Sequence, residues 1–113
     1  MVYSLLTIYP IYINQKQNMI LELATIDIKP KKNEEFEAAL IQAQEVLVMA
    51  KGYVKHEFKK CIEQPNRYVL LITWETLEDH TVGFRTADLF QRWRIIIGPY
   101  FDKAPVVQHF AGL

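Results

Sequence analysis

The sequence predicts a single α+β domain with four strands and two helices. A chain of 113 residues suits one hydrophobic core, and half of its residues are apolar. Runs rich in β-branched residues alternate with two amphipathic segments, in the order strand, helix, strand, strand, helix, strand. This order is the split βαβ, or ferredoxin-like, plan, whose sheet is antiparallel.

The first strand and the first helix are predicted within residues 20–50. Residues 20–28 form an apolar, β-branched run with two charges, and Pro30 ends it. Asn33 is a plausible N-cap, since acids favoured in a first helical turn follow it. Gly52 is a typical helix stop. Spacings of four and three place five apolar residues on one helix face, namely Phe36, Leu40, Ala43, Leu47 and Ala50.

The remaining elements follow from residue 53 onward. Residues 53–62 predict a strand with one solvated face, residues 63–66 a turn, and residues 68–74 the strongest, central strand. Thr76 and Asp79 resemble a capping box that starts a short helix, and Gly83 is expected to break that helix. A second helix from about residue 87 would bury Leu89, Phe90, Trp93 and Ile97, and residues 104–110 form the last strand.

The first 18 residues do not share this pattern. An apolar, tyrosine-rich stretch is followed by a polar tract at residues 14–18. We expect residues 1–18 to be an N-terminal extension and residues 19–113 to be the folded domain. The extension is either a product of an early start codon or an extra edge strand or arm that packs on a partner subunit.

The charge balance and the cysteine content exclude several classes of function. Lysine plus arginine and aspartate plus glutamate both number 13, so no basic excess favours nucleic acid or an anionic membrane. One cysteine, Cys61, supports neither an internal disulfide framework nor a Cys-rich zinc site. The apolar run at residues 5–13 is too short to span a bilayer. A cytoplasmic location is the simplest expectation.

Short motifs run in order through the second half of the chain: Cys-Ile-Glu-Gln-Pro-Asn-Arg-Tyr, Trp-Glu-Thr-Leu-Glu-Asp-His, Gly-Phe-Arg, Phe-Gln-Arg-Trp-Arg and Val-Val-Gln-His-Phe. Together with the element order, they resemble the antibiotic biosynthesis monooxygenase family over about four fifths of the chain. The resemblance implies a homodimeric α+β barrel, in which two ferredoxin-like sheets pack face to face. The family includes cofactor-free monooxygenases, haem-degrading enzymes and members without a known substrate, so the resemblance leaves these functions open.

The haem-degrading branch of this family uses a histidine on the second helix and an asparagine on the first strand. Arg94 and Ile26 stand at those places here, so haem degradation is not expected. We expect no metal ion, because the three histidines lack the close spacing of a helical His-x-x-x-His pair. We also expect no cofactor, as in the cofactor-free monooxygenases that the resemblance implies.

Cofactor-free oxygenation of a hydroxylated aromatic needs a base, donors for the resulting anion, and a site that excludes water. A histidine suits the role of base because its pKa lies near working pH. His80 is the leading candidate because it follows a capped turn next to Trp74 and lies near the arginine-bearing loop. Arg85 and Trp74 are candidates for the donors. The alternatives are a His80 that either lies on the exposed side of a short helix or hydrogen-bonds a loop carbonyl, and an Arg85 that pairs with a nearby carboxylate.

Five further residues are expected to contact the substrate. The histidines of this group lie on strands that a ferredoxin-like order can bring together, where they form a polar patch in the cleft or, alternatively, are partly solvated residues near the sheet edge. The others belong to the helical region that follows the third strand. The set is His56, Phe84, Trp93, Arg94 and His109.

The sequence therefore predicts a cofactor-independent monooxygenase that acts on a small aromatic, polyphenol or quinone-like compound. A dimeric small-ligand-binding or stress-related module is an alternative, which histidines that all point to solvent would favour. Isomerisation or lactone handling is another, and it would need a histidine and a carboxylate converging on one cavity. A homodimer through the sheet is expected because helices on one side cannot bury both faces.

Overall fold

The structure, a computed structural model, describes residues 19–113, and the prediction about residues 1–18 lies outside that range. Its elements in chain order are β1 (Ile20–Asp27), α1 (Asn33–Leu47), β2 (Tyr53–Lys60), β3 (Arg67–Trp74), a π-helix (Asp79–Phe84), α2 (Asp88–Ile97), a 3-10 turn (Gly98–Tyr100) and β4 (Val106–Ala111). The strands form one antiparallel sheet in the order β2-β3-β1-β4. The ferredoxin-like α+β plan is confirmed.

The two central strands, β1 and β3, present alternate side chains to a core beneath the helices. On β3 the buried row consists of Tyr68, Leu70, Ile72 and Trp74. On β1 the buried row contains Ala24 and Ile26, and it also contains a carboxylate, Glu22, which is 6% exposed. Because a strand has a period of two, Glu22 shares the face of these apolar neighbours.

The five apolar residues predicted for the first helix are all buried on this face, four of them on α1 and Ala50 in the turn that follows it. The start of α1 differs from the prediction, since Lys32 occupies the N-cap position and makes no side-chain capping bond. The Asn33 amide nitrogen instead donates to the Pro65 carbonyl at 2.8 Å and to the Tyr68 hydroxyl at 3.0 Å. Asn33 thus ties the helix to the β2–β3 turn.

The predicted helix break at Gly83 is wrong. The Asp79 N–H donates to Thr76 Oγ1 at 3.1 Å, as the capping pattern predicted, and a π-helix then continues through Gly83. The helical backbone ends before Ala87, which is extended with φ −84° and ψ 154° and precedes α2. Glycine lowers helix propensity without forbidding a helix, and backbone bonds from Arg85 to the His80 and Val82 carbonyls hold this segment.

The turn between α1 and β2 supports the start of the π-helix. Gly52 has φ 82°, and a Cβ atom there would lie 2.2 Å from the Asp79 carboxyl group. The Glu75 N–H also donates to the Gly52 carbonyl at 2.8 Å. Glycine is therefore required at position 52, where the turn packs against the first residue of the π-helix.

The second face of the sheet carries an apolar patch, called here the open sheet face: Leu21, Leu23, Val69, Leu71, Val106 and Phe110. Val106 is 57% exposed and Phe110 is 47% exposed. On the edge strand β2 the same face carries charged residues, as the prediction of a solvated face requires. Within residues 19–113, no helix combines the length and apolar character needed to cross a membrane.

Candidate functional site

A cavity of about 890 Å³ lies between the helix-facing side of the sheet and α2. Its walls are mainly apolar side chains of β1, β3, α2 and the segment leading into β4. Cavities of this volume and character hold small organic ligands. Exposed side chains from α2 and from the end of the π-helix segment form its rim, including Gln91, Arg94 and Arg85, the residue that follows the π-helix.

The inner end of the cavity holds a polar cluster around Glu22. Trp74 Nε1 donates to Glu22 Oε1 at 2.9 Å, and His80 Nε2 lies 3.3 Å from the same oxygen. Glu22 and His80 both line the cavity, and His80 is only 3% exposed. A carboxylate and an imidazole therefore converge on one cavity, away from bulk water.

The second ring nitrogen of His80 is also engaged. His80 Nδ1 lies 2.8 Å from His109 Nε2 on β4, within hydrogen-bond distance. His109 faces the core side of the sheet opposite Glu22 on β1, and it is partly exposed. Contacts between polar side chains thus connect Glu22 at the cavity through His80 to His109 on the edge strand β4.

Aromatic rings fix the orientation of the His80 imidazole. Trp74, which is fully buried, stacks on His80 with ring centroids 5.3 Å apart and planes 21° apart. Phe84, one helical turn after His80, packs against Trp74 at 5.5 Å and against Trp93 at 6.3 Å. The π-helix buries both His80 and Phe84, so it delivers an imidazole and an aromatic wall together.

Burial shifts both members of the carboxylate–imidazole pair toward their neutral forms. Desolvation raises the pKa of Glu22 to about 7, although the Trp74 hydrogen bond and the Arg85 charge act in the opposite direction. Desolvation lowers the pKa of His80 to about 4, with the Arg85 and His109 charges adding to the effect. The pKa of His109 is also lowered, by burial and by Arg85. Near neutral pH the proton of the pair therefore belongs to Glu22.

The structure brings most of the predicted site residues to this cavity. Phe84, Arg85, Trp93 and Arg94 line it together with His80. The Arg94 guanidinium lies over the Phe90 ring, 5.8 Å from its centroid. Trp74 and His109 contact His80, but they do not line the cavity themselves.

His56 lies away from the cavity, on the edge strand β2. Its Nδ1 accepts or donates in a 2.5 Å bond with the Tyr53 hydroxyl, and its Nε2 lies 3.1 Å from Gln44 Oε1 on α1. The contacts of His56 join β2 to α1. They therefore indicate a packing role for this residue.

Glu22 was missed as a candidate by the sequence reasoning. The available signal was its position, because Glu22 falls in the inward register of β1 with Ala24 and Ile26. A charge at an inward strand position needs a partner, and Trp74 and His80 provide one. In residues 19–113, no group of three or more histidine, cysteine, aspartate or glutamate side chains has the geometry to hold a metal ion.

The chain matches a family model, a relative of known sequence and several solved structures. The sequence model of the antibiotic biosynthesis monooxygenase family matches residues 19–94. YczJ, an uncharacterized protein of Bacillus subtilis (strain 168), is 41% identical over 92 residues, which make up 81% of this chain and 97% of YczJ. A crystal structure from Bordetella bronchiseptica, of a protein named after the same family, is 37% identical, with a TM-score of 0.83 over 86% of this chain and 99% of that one.

A more distant structure carries a functional description of its own. SnoaB of Streptomyces nogalater, described as a cofactor-independent oxygenase, has a TM-score of 0.72 over 85% of this chain and 94% of its own. Its identity to this chain is 12%, so the likeness is one of fold alone. The family match and the two closer relatives establish that the chain belongs to the antibiotic biosynthesis monooxygenase family.

Proposed function

We propose that the protein is a cofactor-independent monooxygenase that acts on a small hydroxylated aromatic compound. The observation that carries this proposal is the buried Glu22–His80 pair at the inner end of an apolar cavity of about 890 Å³. The cavity can hold an aromatic ring system, and the pair can remove a phenolic proton where water does not compete.

The chemistry needs no reductant other than the substrate. Removal of the phenolic proton gives an electron-rich anion, which passes one electron to dioxygen. The resulting radical pair combines as a peroxide at a ring carbon that still carries hydrogen, and the peroxide takes up a proton. Loss of water leaves a carbonyl group there, so one oxygen atom enters the quinone product and the other leaves as water.

The surroundings of the pair suit the charges that develop in this reaction. Arg85 lies at the rim, and its positive charge already favours the ionised form of Glu22, so it would also favour a substrate anion. Phe84 and Trp93 provide flat apolar walls for an aromatic ring. The SnoaB fold supports the proposal as an analogy, because the same scaffold carries cofactor-independent oxygenation in that protein.

The working form is proposed to be a homodimer that buries the open sheet face. Central residues of this face, such as Leu23 and Leu71, are only partly covered, while Phe110 and Val106 are exposed. A face of this kind is costly to leave in water and is usually covered by a second layer. A second copy of the chain would pack an equivalent apolar face against it.

Proton-transfer isomerisation is the second candidate function. A histidine and a carboxylate do converge on one cavity, which is the arrangement that this alternative requires. A purely ligand-binding module is less well supported, because His80 is buried at the cavity and does not point to solvent.

Oxygen uptake by the purified protein, without added flavin or metal, tests the proposal. The panel consists of hydroquinones, polyphenols and dihydroxynaphthalenes, and the variants are His80→Ala, Trp74→Phe and Arg85→Gln. We expect uptake above the spontaneous rate in wild type and a strong loss in His80→Ala. Rates equal to the background for every compound would contradict the oxygenase. Conversion of a substrate without oxygen consumption would favour the isomerase.

A further inference from the structure

We infer that Glu22, and not His80, is the group that takes the proton from the substrate, and that His80 and His109 are positioning residues that hold its carboxylate. This inference rests on the proposed function and assigns the acid–base step to a residue on β1. It follows from which nitrogen and oxygen atoms of the cluster are already engaged.

Both ring nitrogens of His80 have partners. Nε2 lies 3.3 Å from Glu22 Oε1, and Nδ1 lies 2.8 Å from His109 Nε2. Trp74 stacks on one face of the ring and restricts its rotation. His80 would have to break one of these contacts to accept a proton from a ligand.

The Glu22 carboxylate has one oxygen engaged and one left for a ligand. Within the described residues, the Trp74 N–H and the His80 imidazole both approach Oε1. Glu22 also lines the cavity, and no described side-chain oxygen is both fully buried and without a hydrogen-bond partner. Oε2 is therefore accessible, and it is the oxygen that we assign to a substrate hydroxyl. Since a carboxylate oxygen that receives two N–H groups is a poor proton acceptor, the proton adds to Oε2.

One arrangement of protons satisfies the whole cluster when Glu22 is ionised. Trp74 Nε1–H and His80 Nε2–H both point at Oε1, and His109 Nε2–H donates to His80 Nδ1. Both imidazoles are then neutral, which agrees with the lowered pKa of each. The charged group that faces the cluster from the rim is Arg85, which favours the carboxylate over its protonated form.

The acid–base strength of Glu22 also suits the task. A pKa of about 7 makes this carboxylate a much stronger base than an exposed glutamate, while it remains ionised at slightly alkaline pH. In the reaction the substrate O–H bond breaks and the Glu22 O–H bond forms. The same proton then returns to the peroxide, so the carboxylate is regenerated.

Proton uptake on binding of 4-nitrophenolate at pH 8 tests the inference without any oxygenation. Titration calorimetry in two buffers of different ionisation enthalpy gives the number of protons taken up per site. We expect about one proton in wild type, because an ionised carboxylate and a phenolate share a proton when they meet in a cavity of low polarity. We expect none in Glu22→Gln, which keeps the shape and an acceptor for Trp74.

The positioning residues give a different signature. His80→Gln and His109→Gln should still take up a proton, but the pH at which uptake is half-complete should move, since each changes the contacts of Glu22. In the oxygen-uptake assay, Glu22→Gln should lower kcat/KM at least about 100-fold, and His109→Gln should lower it less.

Two results of the titration would overturn the inference. One is proton uptake in Glu22→Gln equal to that of wild type, which would return the base to a histidine. The other is an absence of proton uptake in wild type. Oxygenation that persists in Glu22→Gln would refute the inference and leave the proposed function standing. Wild-type proton uptake without any oxygenation would refute the proposed function and leave Glu22 as the proton acceptor.

Discussion

Replacement of Glu22 by glutamine is expected to stabilise the protein above neutral pH. Burial raises the Glu22 pKa from 4.5 to about 7, so the folded state binds a proton more tightly than the unfolded state. Folding therefore becomes less favourable as the pH rises from 4.5 to 7, where the unfolded chain releases this proton first. Glutamine cannot ionise and escapes this loss.

The size of the effect follows from the two pKa values. Their difference corresponds to about 3 kcal/mol, at about 1.4 kcal/mol for each pH unit. The glutamine side chain of the variant retains an oxygen that can accept the Trp74 N–H, so the variant and wild type should be equally stable below pH 4.5. The advantage of the variant should grow through neutrality and level off near 3 kcal/mol by pH 8.

His80 makes the wild-type behaviour distinctive. Its pKa is lowered from 6.5 to about 4, so it contributes stability above pH 6.5 that is lost as the pH falls toward 4. Between pH 4.5 and 6.5 the Glu22 and His80 contributions have opposite slopes and nearly cancel. Glu22→Gln removes one of them, so its stability should rise with pH over this range while that of wild type stays nearly level.

Urea unfolding at pH 5, 6, 7 and 8 measures these differences, with the protein concentration held fixed because of the proposed dimer. Glu75→Gln is the matched control, since Glu75 is exposed just after β3 and the same change there should have little effect at any pH. A Glu22→Gln protein that is less stable than wild type at pH 8, or that differs equally at all four pH values, would refute the reasoning.

Three further predictions concern the site, the sheet edge and the dimer. Trp74→Phe removes a donor that lowers the Glu22 pKa, so the pH of half-maximal oxygen uptake should rise by about one unit; an unchanged pH profile would contradict this. Asp27 has a pKa lowered from 3.8 to about 2, chiefly by its hydrogen bond from a guanidinium, so urea unfolding should show a stability loss between pH 4 and 2 that is absent in Asp27→Asn; equal acid sensitivity would argue against it. Phe110→Glu should give a monomer by light scattering, whereas Ile41→Glu on the exposed side of α1 should not, and identical masses would count against the open sheet face as the interface.

The sequence predicts the fold well because the core patterns are regular. The apolar spacing of α1 and the alternation of β3 both match the buried residues. Two local rules fail for different reasons: the capping rule for Asn33 ignores a tertiary partner, and the helix-break rule for Gly83 overlooks that glycine lowers helix propensity without forbidding a helix. The β2–β3 turn draws the Asn33 side chain away from the helix end, and backbone bonds carry the π-helix across Gly83.

The site was only partly predictable, because sequence spacing does not show which side chains meet across strands. His80 and His109 are 29 residues apart in the chain, and the pairing of β4 with β1 brings them together. His56 lies on β2, which is the edge strand opposite to β4 in the sheet. Glu22 was passed over as one charge in an apolar strand, although its inward register marks it as buried.

Oxidation of a dihydroxynaphthalene under ¹⁸O₂ by the purified protein, with no added flavin or metal, tests the central claim most directly. The account predicts a quinone that carries one ¹⁸O atom per molecule, formed faster than without protein and lost in Glu22→Gln. A product that lacks ¹⁸O, or one that forms equally well without oxygen, would contradict a monooxygenase and point to proton transfer alone.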